Sequence, residues 1–244
     1  MNAGVALTLE VQPPRLRDLP LSDLTDRRAD ATRQQILRAA AHQFARKPYS
    51  QVNLDDILAE AQVTKGAMYF HFRSKHALAL AIIDEQTNMG YTAVNELLTR
   101  KLSGLETLID ISYLLAAQDL NEDVARAGLH LVESIGRTDG LQVNLLGEWI
   151  KNLAVVVRRA MVEGDIAEQR DADDVSRLLV SVYMGTRQTS NLDDPEQFLT
   201  HLETAWAMIL PGFANPDRIG YLTQFIRRRT ARAISNASPR PAPS

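Results

Sequence analysis

The chain has 244 residues, of which 45% are hydrophobic and 23% charged, a composition typical of a globular protein that can bury a core. It contains no cysteine, which excludes disulfide frameworks, thiolate zinc sites, iron–sulfur clusters and cysteine nucleophiles. Its 27 basic and 30 acidic residues give a formal net charge of −3, so any signal for nucleic-acid binding must be local.

Apolar residues at helical spacing predict an all-α protein, and no alternating pattern is long enough to build a sheet. Residues 1–26 contain three prolines and no clean period, which predicts a disordered tail. A helix follows from about Arg27 and ends at Pro48. Residues 235–244 are again rich in proline and are predicted to be a second disordered tail. The helices predicted in the second half of the chain span 105–119, 122–135, 143–163, 171–191, 195–210 and 217–234.

Two short helices separated by a tight turn follow the first helix. Residues 54–61 carry apolar side chains at i, i+3, i+4 and i+7, with Asn53 as the predicted N-cap. Residues 62–63 form the connector, and Thr64 is predicted to cap a helix over 65–71. This order of helix, tight turn and helix predicts a helix-turn-helix unit.

A fourth helix is predicted from Ser74 towards Arg100, and positive charge concentrates around the unit that precedes it. Residues 27–80 contain nine basic and four acidic residues, a balance of +5, which leaves −8 for the remaining chain. A basic module on an acidic body is typical of a nucleic-acid-binding protein with a separate second function. Chance clustering on a solvated surface explains the charge alone equally well.

The start of the second short helix has the side chains that DNA recognition needs. Gly66 allows close backbone approach, the Thr64 hydroxyl can donate to a phosphate, and Lys65 can reach a guanine edge in the major groove. Alternatively, Lys65 is an ordinary surface lysine, Tyr69 a core aromatic and His71 an exposed imidazole. The residues predicted to contact DNA are Thr64, Lys65, Gly66, Tyr69, His71 and Lys75.

Residues 32–83 resemble the DNA-binding domain of TetR-family repressors, above all the stretch Val-Thr-Lys-Gly-Ala-Met-Tyr-Phe-His-Phe over 63–72. The resemblance implies an N-terminal three-helix DNA-binding domain over 27–73 and a larger helical regulatory and dimerisation domain over 74–234. It assigns DNA contacts to the same six residues and implies that Phe70 and Phe72 pack inside the domain. Double-stranded operator DNA and a second copy of the chain are the partners expected.

Within that family, the chain resembles the γ-butyrolactone autoregulator receptors of actinomycetes over 84–87, 124–129 and 147–149. This resemblance implies a small apolar ligand, in a cavity lined by Trp149 and touched by Gln86. Tyr183 lies where those receptors often carry a smaller cavity residue, so this departure would reshape the pocket. On the residues alone, a core side chain is the favoured interpretation of Trp149, and Gln86 is equally well a surface amide.

The dimer expected from the family packs the helices near 171–191 and 195–210 into a four-helix bundle. Six apolar residues are the candidates for this interface: Leu178, Leu179, Val182, Leu199, Leu202 and Trp206. Together, these expectations describe a ligand-responsive repressor that binds a palindromic operator as a dimer and is released by a γ-butyrolactone-type signal. A TetR-family regulator of another ligand class, such as an acyl-chain metabolite or an antibiotic, is the alternative.

The sequence gives little support for catalysis. We expect that the protein is not an enzyme and that it binds no cofactor or metal. No nucleophile elbow, glycine-rich phosphate loop or zinc-protease motif occurs. His130 and Glu133 have the i, i+3 spacing of di-metal helical bundles but lack the further ligands, which leaves a metal-dependent enzyme as a distant alternative. A DNA-binding structural protein without a ligand would leave two thirds of the chain without a role.

No apolar run approaches the ~20 residues of a membrane helix and no signal-peptide pattern occurs, which predicts a cytoplasmic protein without a membrane partner.

Overall fold

The structure is a computed structural model that describes residues 23–137 and 140–237. Ten α-helices and two short 3₁₀ turns occupy these ranges, which contain no strand, so the all-α prediction is confirmed. The helices are α1 (Asp23–Arg46), α2 (Leu54–Ala61), α3 (Lys65–His71), α4 (Lys75–Leu98), α5 (Gly104–Asn121), α6 (Asp123–Ser134), α7 (Leu141–Val162), α8 (Ala172–Thr189), α9 (Pro195–Ile209) and α10 (Pro216–Asn236).

Local capping explains why the helix-turn-helix unit lies where the sequence predicts it. The side chains of Thr64 and Ser74 accept hydrogen bonds from backbone N–H groups three residues on, at 3.2 and 3.0 Å, and so start α3 and α4. Gln62 adopts a left-handed conformation at the end of α2, with φ 52°, which turns the chain sharply towards α3. Asn53 occupies the predicted N-cap position, but its side chain makes no capping hydrogen bond.

The outer boundaries differ slightly from the predictions. Helix α1 begins four residues before Arg27, and α10 continues through Asn236, two residues into the predicted C-terminal tail. Helix α4 ends at Leu98 rather than near Arg100. The rest of the two predicted tails, 1–22 and 238–244, lies outside the described residues.

Two hydrophobic cores organise the protein, and α6 belongs to the first of them. This first core, the head, joins α1–α3 and the first half of α4. It contains the apolar face predicted for α1, which consists of Ile36, Leu37, Ala40, Ala41 and Phe44. Three α6 residues and the residue that follows the helix complete it: Ala127, Leu131, Val132 and Ile135. The second core, the body, joins α5 and α7–α10. The predicted domain boundary lies between residues 73 and 74. It does not coincide with the division between the two cores, because α6 and the first half of α4 also belong to the head.

Polar contacts fasten α6 to α1 as well. Asp123, the first residue of α6, lies 3.0 Å from the His42 ring Nδ1 and accepts a hydrogen bond from Arg46 at 3.2 Å. Burial alone would raise the pKa of Asp123, but the hydrogen bonds and charges of Arg46 and His42 outweigh it and hold that pKa below its ordinary value. The start of α6 is thus held to the head by an ionised carboxylate at neutral pH.

Candidate DNA-binding face and ligand cavity

One face of α3 is exposed and has the predicted DNA-contacting residues at its start. Met68 is fully buried and Phe72 nearly so, and these two side chains hold α3 on the head core. Thr64, Lys65, Gly66 and Tyr69 are exposed, and a Cβ at position 66 would meet only the Thr64 hydroxyl, at 3.9 Å. Nothing within the protein requires glycine there, so its small size is available to an outside partner.

The expectation that Phe70 packs inside the domain is wrong, because its side chain is 79% exposed. Two residues along an α-helix turn by about 200°, so Phe70 lies on the side of α3 opposite the buried Met68. An aromatic ring there lengthens the exposed face beyond Tyr69. The helical position relative to Met68 is the sequence signal that could have placed it correctly.

Lys75 and His71 lie at the edge of this face and are only half-exposed. The Lys75 ammonium donates hydrogen bonds to the backbone carbonyls of Tyr49 and Val52, at 2.9 and 3.0 Å, and lies 4.4 Å from the Tyr49 ring centroid. Lys75 therefore joins the start of α4 to the 3₁₀ turn at 49–51 (Tyr49–Gln51). One N–H of the ammonium remains for the phosphate contact predicted from the sequence.

A cavity of about 130 Å³ lies inside the body and is closed on one side by α4. Its wall is mainly apolar, and each of the residues predicted to meet a ligand, Gln86, Trp149 and Tyr183, lines it. Helix α4 contributes six wall residues from one face: Gln86, Thr87, Gly90, Tyr91, Val94 and Leu98. The structure thus brings the three predicted residues together, and their contact with a ligand stays a prediction.

Most of the apolar residues predicted for a dimer interface lie inside the protomer instead. Leu178 is exposed, and Val182 lines the cavity. The other four candidates are buried in the body: Leu179, Leu199, Leu202 and Trp206. Trp206 also donates its indole N–H to the Ser112 hydroxyl at 2.8 Å. Helical periodicity predicts that one face of a helix is buried, but it does not tell whether the residues that bury it belong to the same chain or to a second copy.

Two glycines set the space around Gln86 and the cavity. Gly90 is buried and lines the cavity, and a Cβ added there would meet no atom within 4 Å, so it would point into the cavity. Gly128 on α6 differs, because a Cβ there would lie 2.5 Å from the Cβ of Gln86. Helices α4 and α6 therefore approach closely at a residue of the cavity wall.

A buried polar network, which the sequence did not indicate, lies beside the cavity. The Asp119 Oδ2 atom accepts hydrogen bonds from the Tyr183 hydroxyl at 2.7 Å and from Arg187 Nε at 3.1 Å. Arg187 also donates to Glu133 at 3.3 Å and to the Arg126 carbonyl at 3.1 Å. Burial, and then the negative charge of Asp119, raise the pKa of Tyr183 well above its ordinary value, so its hydroxyl stays a proton donor.

Family models match most of the chain. Residues 36–82 match the model of bacterial regulatory proteins of the TetR family, and residues 89–214 match a tetracycline repressor-like C-terminal domain. The chain belongs to the TetR family. It is a DNA-binding transcriptional regulator related to γ-butyrolactone receptors.

Individual relatives agree with this assignment. The A-factor receptor protein of Streptomyces griseus is 33% identical over 196 residues, which are 80% of this chain and 68% of the relative. A crystal structure of a γ-butyrolactone receptor described as ArpA-like superposes with a TM-score of 0.71 at 30% identity, over 84% of this chain and 99% of that one. The TetR-family protein CprB from Streptomyces coelicolor, solved in complex with its biological operator sequence, gives a TM-score of 0.71 at 29% identity, over 84% and 99%.

The glutamate considered for a metal site contacts an arginine in this TetR-family protein. Glu133 accepts a hydrogen bond from Arg187. In the part of the chain that the structure describes, no group of three or more His, Asp or Glu side chains could hold a metal ion. Within the same residues, no helix is both long and apolar enough to cross a membrane.

We expect His130 to make the stability of this regulator depend on pH. Burial and the neighbouring Arg187 charge lower the pKa of His130 below 6.5, although a hydrogen bond to the Phe44 backbone opposes them. Below pH 6.5 the unfolded chain binds a proton that the folded chain resists, so the free energy of unfolding should fall as the pH drops from there towards the lowered pKa. Above pH 6.5 the contribution is fully present.

Urea unfolding between about pH 7.5 and about 5.5 measures this dependence. The His130→Gln variant should lose the part of the slope that His130 contributes, whereas His201→Gln, at an exposed position on α9, should keep it. If the free energy of unfolding fell equally with pH in the wild type and in His130→Gln, His130 would not be the source of the pH dependence.

Proposed function

We propose that this protein is a ligand-responsive transcriptional repressor. In this proposal it binds a palindromic operator as a homodimer and leaves it when a small apolar ligand, such as a γ-butyrolactone-type signal, enters the cavity. The relatives named as an A-factor receptor and as γ-butyrolactone receptors support the ligand class. The CprB structure with its operator supports the DNA partner.

A single observation carries the proposal: α4 and α6 are each part of both the head core and the cavity wall. On α4, Leu78 and Ile82 are buried in the head, whereas Gln86 and Gly90 line the cavity. On α6, Leu131 is buried in the head, whereas Ala125 and Leu129 line the cavity. A ligand that shifts these helices therefore moves the surface on which α3 is mounted.

The energy required is modest. A ligand changes DNA affinity only through its differential affinity for the two conformations of the protein. A hundredfold loss of operator affinity corresponds to a coupling free energy of ~2.7 kcal/mol. One hydrogen bond together with modest apolar burial is of that order.

On the DNA side, α3 enters the major groove with Thr64, Lys65 and Gly66 at its leading end. Tyr69, His71 and Lys75 contact the sugar–phosphate backbone, and the exposed Phe70 ring adds an apolar surface for a sugar or a thymine methyl group. In the dimer, two such helices read half-sites spaced by one turn of DNA, ~34–36 Å, or by a multiple of it.

Exposed apolar side chains on α7 and α8 support a dimer contact on that side of the body. Val155 and Val162 on α7 and Leu178 on α8 are exposed, and these two helices pack against each other. Covering such residues with the same surface of a second copy gives a two-fold contact, which matches a palindromic operator. Sedimentation of the protein alone should give twice the mass of the chain.

Fluorescence anisotropy on labelled DNA from upstream of the protein's own gene tests the proposal. We expect tight, salt-dependent binding that is selective over unrelated DNA, followed by release when an organic extract of the native culture is added. Selective binding that no extract reverses would remove the ligand-released part of the proposal. Weak binding, equal on unrelated DNA and on fragments from a genomic selection, would remove the repressor itself.

Two lysines should separate base recognition from phosphate contact. Lys65→Ala should weaken operator binding by ~1–3 kcal/mol and relax specificity at one base position, because it removes a base contact. Lys75→Ala should weaken binding to all sequences alike and reduce the salt slope by about one. It should also destabilise the head, because the carbonyls of Tyr49 and Val52 lose their donor.

Anisotropy across a salt titration, together with thermal unfolding, measures both effects, and Lys151→Ala on α7 is the control outside the head. If both lysine variants bound the operator like the wild type at every salt concentration, α3 would not be the recognition helix.

A further inference from the structure

One buried carboxylate oxygen beside the cavity has no hydrogen-bond partner in the described part of the chain. Asp119 is 1% exposed and lines the cavity. Its Oδ2 atom is fully engaged by Tyr183 and Arg187, but its Oδ1 atom is buried and accepts no hydrogen bond. A buried carboxylate oxygen left without a donor is costly, which indicates that something outside the described residues satisfies it.

The charges around Asp119 indicate what kind of donor fits. Arg187 forms an ion pair with Asp119, in which both side chains are 1% exposed, and a second one with Glu133, so Asp119 shares its counter-charge. Arg126, the next cation, pairs with Asp193 at 2.7 Å. A cationic ligand would have to bury its own charge in a mainly apolar cavity beside the Arg187 guanidinium, and an anionic ligand would be repelled by Oδ1. A neutral donor, such as a hydroxyl group, satisfies Oδ1 without burying a further charge.

The rest of the cavity sets the remaining chemistry of the ligand. The wall is apolar over most of its area, with Leu98, Leu108 and Val156 among its members. Gln86 also lines the cavity, and its side-chain amide oxygen is buried and accepts no hydrogen bond from the described chain. The cavity therefore combines an apolar enclosure with two acceptor positions on different helices.

We propose that the cavity binds a neutral apolar molecule that carries a hydroxyl group, and that this hydroxyl donates a hydrogen bond to Asp119 Oδ1. Asp119 thereby selects hydroxylated ligands over molecules of the same size that lack the donor, and over carboxylic acids, which are anionic at neutral pH. This inference rests on the proposed role of the cavity as the ligand site.

Matched small probes test this selectivity directly with the full-length protein. The chain's two tryptophans, Trp149 and Trp206, both line the cavity, so their fluorescence reports its occupancy. The probes are 1-octanol, its methyl ether 1-methoxyoctane, and octanoate. We expect 1-octanol to bind roughly 10–100-fold more tightly than the ether, the factor for a hydrogen bond to a charged acceptor, and octanoate to bind most weakly.

Two variants, each of which removes one of the carboxylates that contact Arg187, test whether Asp119 is responsible for the preference for the alcohol. Asp119→Asn should remove most of the preference for the alcohol, whereas Glu133→Gln should keep it, because Glu133 contacts Arg187 without lining the cavity. Circular dichroism checks that both variants fold, and the wild-type comparison of alcohol with ether stands without either of them.

The proposal would be overturned if the wild type bound 1-octanol and its ether equally, or if it did not bind 1-octanol up to the solubility limit. Equal binding would mean that a buried water donates the hydrogen bond to Oδ1. Equal loss of preference in the two variants would also overturn it, because charge balance alone would then explain the selectivity.

The operator assay separates this inference from the proposed function. If the preference for the alcohol holds while culture extract never releases the operator, the inference stands and the ligand-released repressor fails. If extract releases the operator while the wild type binds alcohol and ether equally, the repressor stands and the inference fails.

Discussion

Arg187→Ala should lower the free energy of unfolding by about 3–5 kcal/mol, the range for removing one partner of a buried ion pair. The loss leaves the Asp119 carboxylate buried without its counter-charge, and it removes the donor to Glu133 and to the Arg126 carbonyl. Urea unfolding followed by circular dichroism measures the change.

An exposed pair in the same protein provides the control. Arg158 pairs with Asp173 at 3.5 Å, and both side chains are more than half exposed. Arg158→Ala should therefore change stability by only about 0–1 kcal/mol. Adding Asp119→Asn to Arg187→Ala should recover part of the loss, because the unpaired charge is gone. A cost below about 1 kcal/mol for Arg187→Ala would show that the network contributes little to stability.

Filling the cavity should abolish the ligand response while operator binding is kept. A leucine side chain at position 90 enters the cavity, because a Cβ there already points into open space. Gly90→Leu should weaken ligand binding by at least about tenfold. It should also stabilise α4 by up to about 1 kcal/mol, since glycine is a poor helix former.

Gly220→Leu separates these two effects. Gly220 is exposed on α10, and a Cβ there also meets no atom within 4 Å, so this variant should gain helix stability and keep its ligand response. Operator anisotropy with culture extract, together with tryptophan fluorescence with 1-octanol, measures the response. A Gly90→Leu protein that released the operator at the wild-type extract concentration would mean that the ligand binds elsewhere.

Features that depend on neighbouring residues could be predicted from the sequence. The N-caps at Thr64 and Ser74, the apolar face of α1 and the short helix α2 follow from local spacing, and their positions are confirmed. The resemblance to γ-butyrolactone receptors pointed to Gln86, Trp149 and Tyr183, and all three line one cavity, although their contact with a ligand stays a prediction.

Features that depend on distant residues could not be predicted. Asp119 and Arg187 are 68 residues apart and belong to different helices, so no local pattern shows that they meet. Four of the six candidate interface residues are buried in the protomer for a related reason, since residues such as Leu199 and Leu202 have the period of a buried face whichever molecule covers it. Phe70 differs, because its outward position follows from its angle to Met68.

The position of α6 in the head core limits how this regulator can be recombined. A DNA-reading module cut after α3 or after α4 would expose the apolar surface that Leu131, Val132 and Ile135 cover, and would lose the Asp123 contact to Arg46. A chimaera that keeps the operator preference of this protein and takes its sensing from a homologue must therefore carry α6 together with the helix-turn-helix. The exchangeable unit is discontinuous in sequence, and a crossover placed at a single peptide bond would divide it.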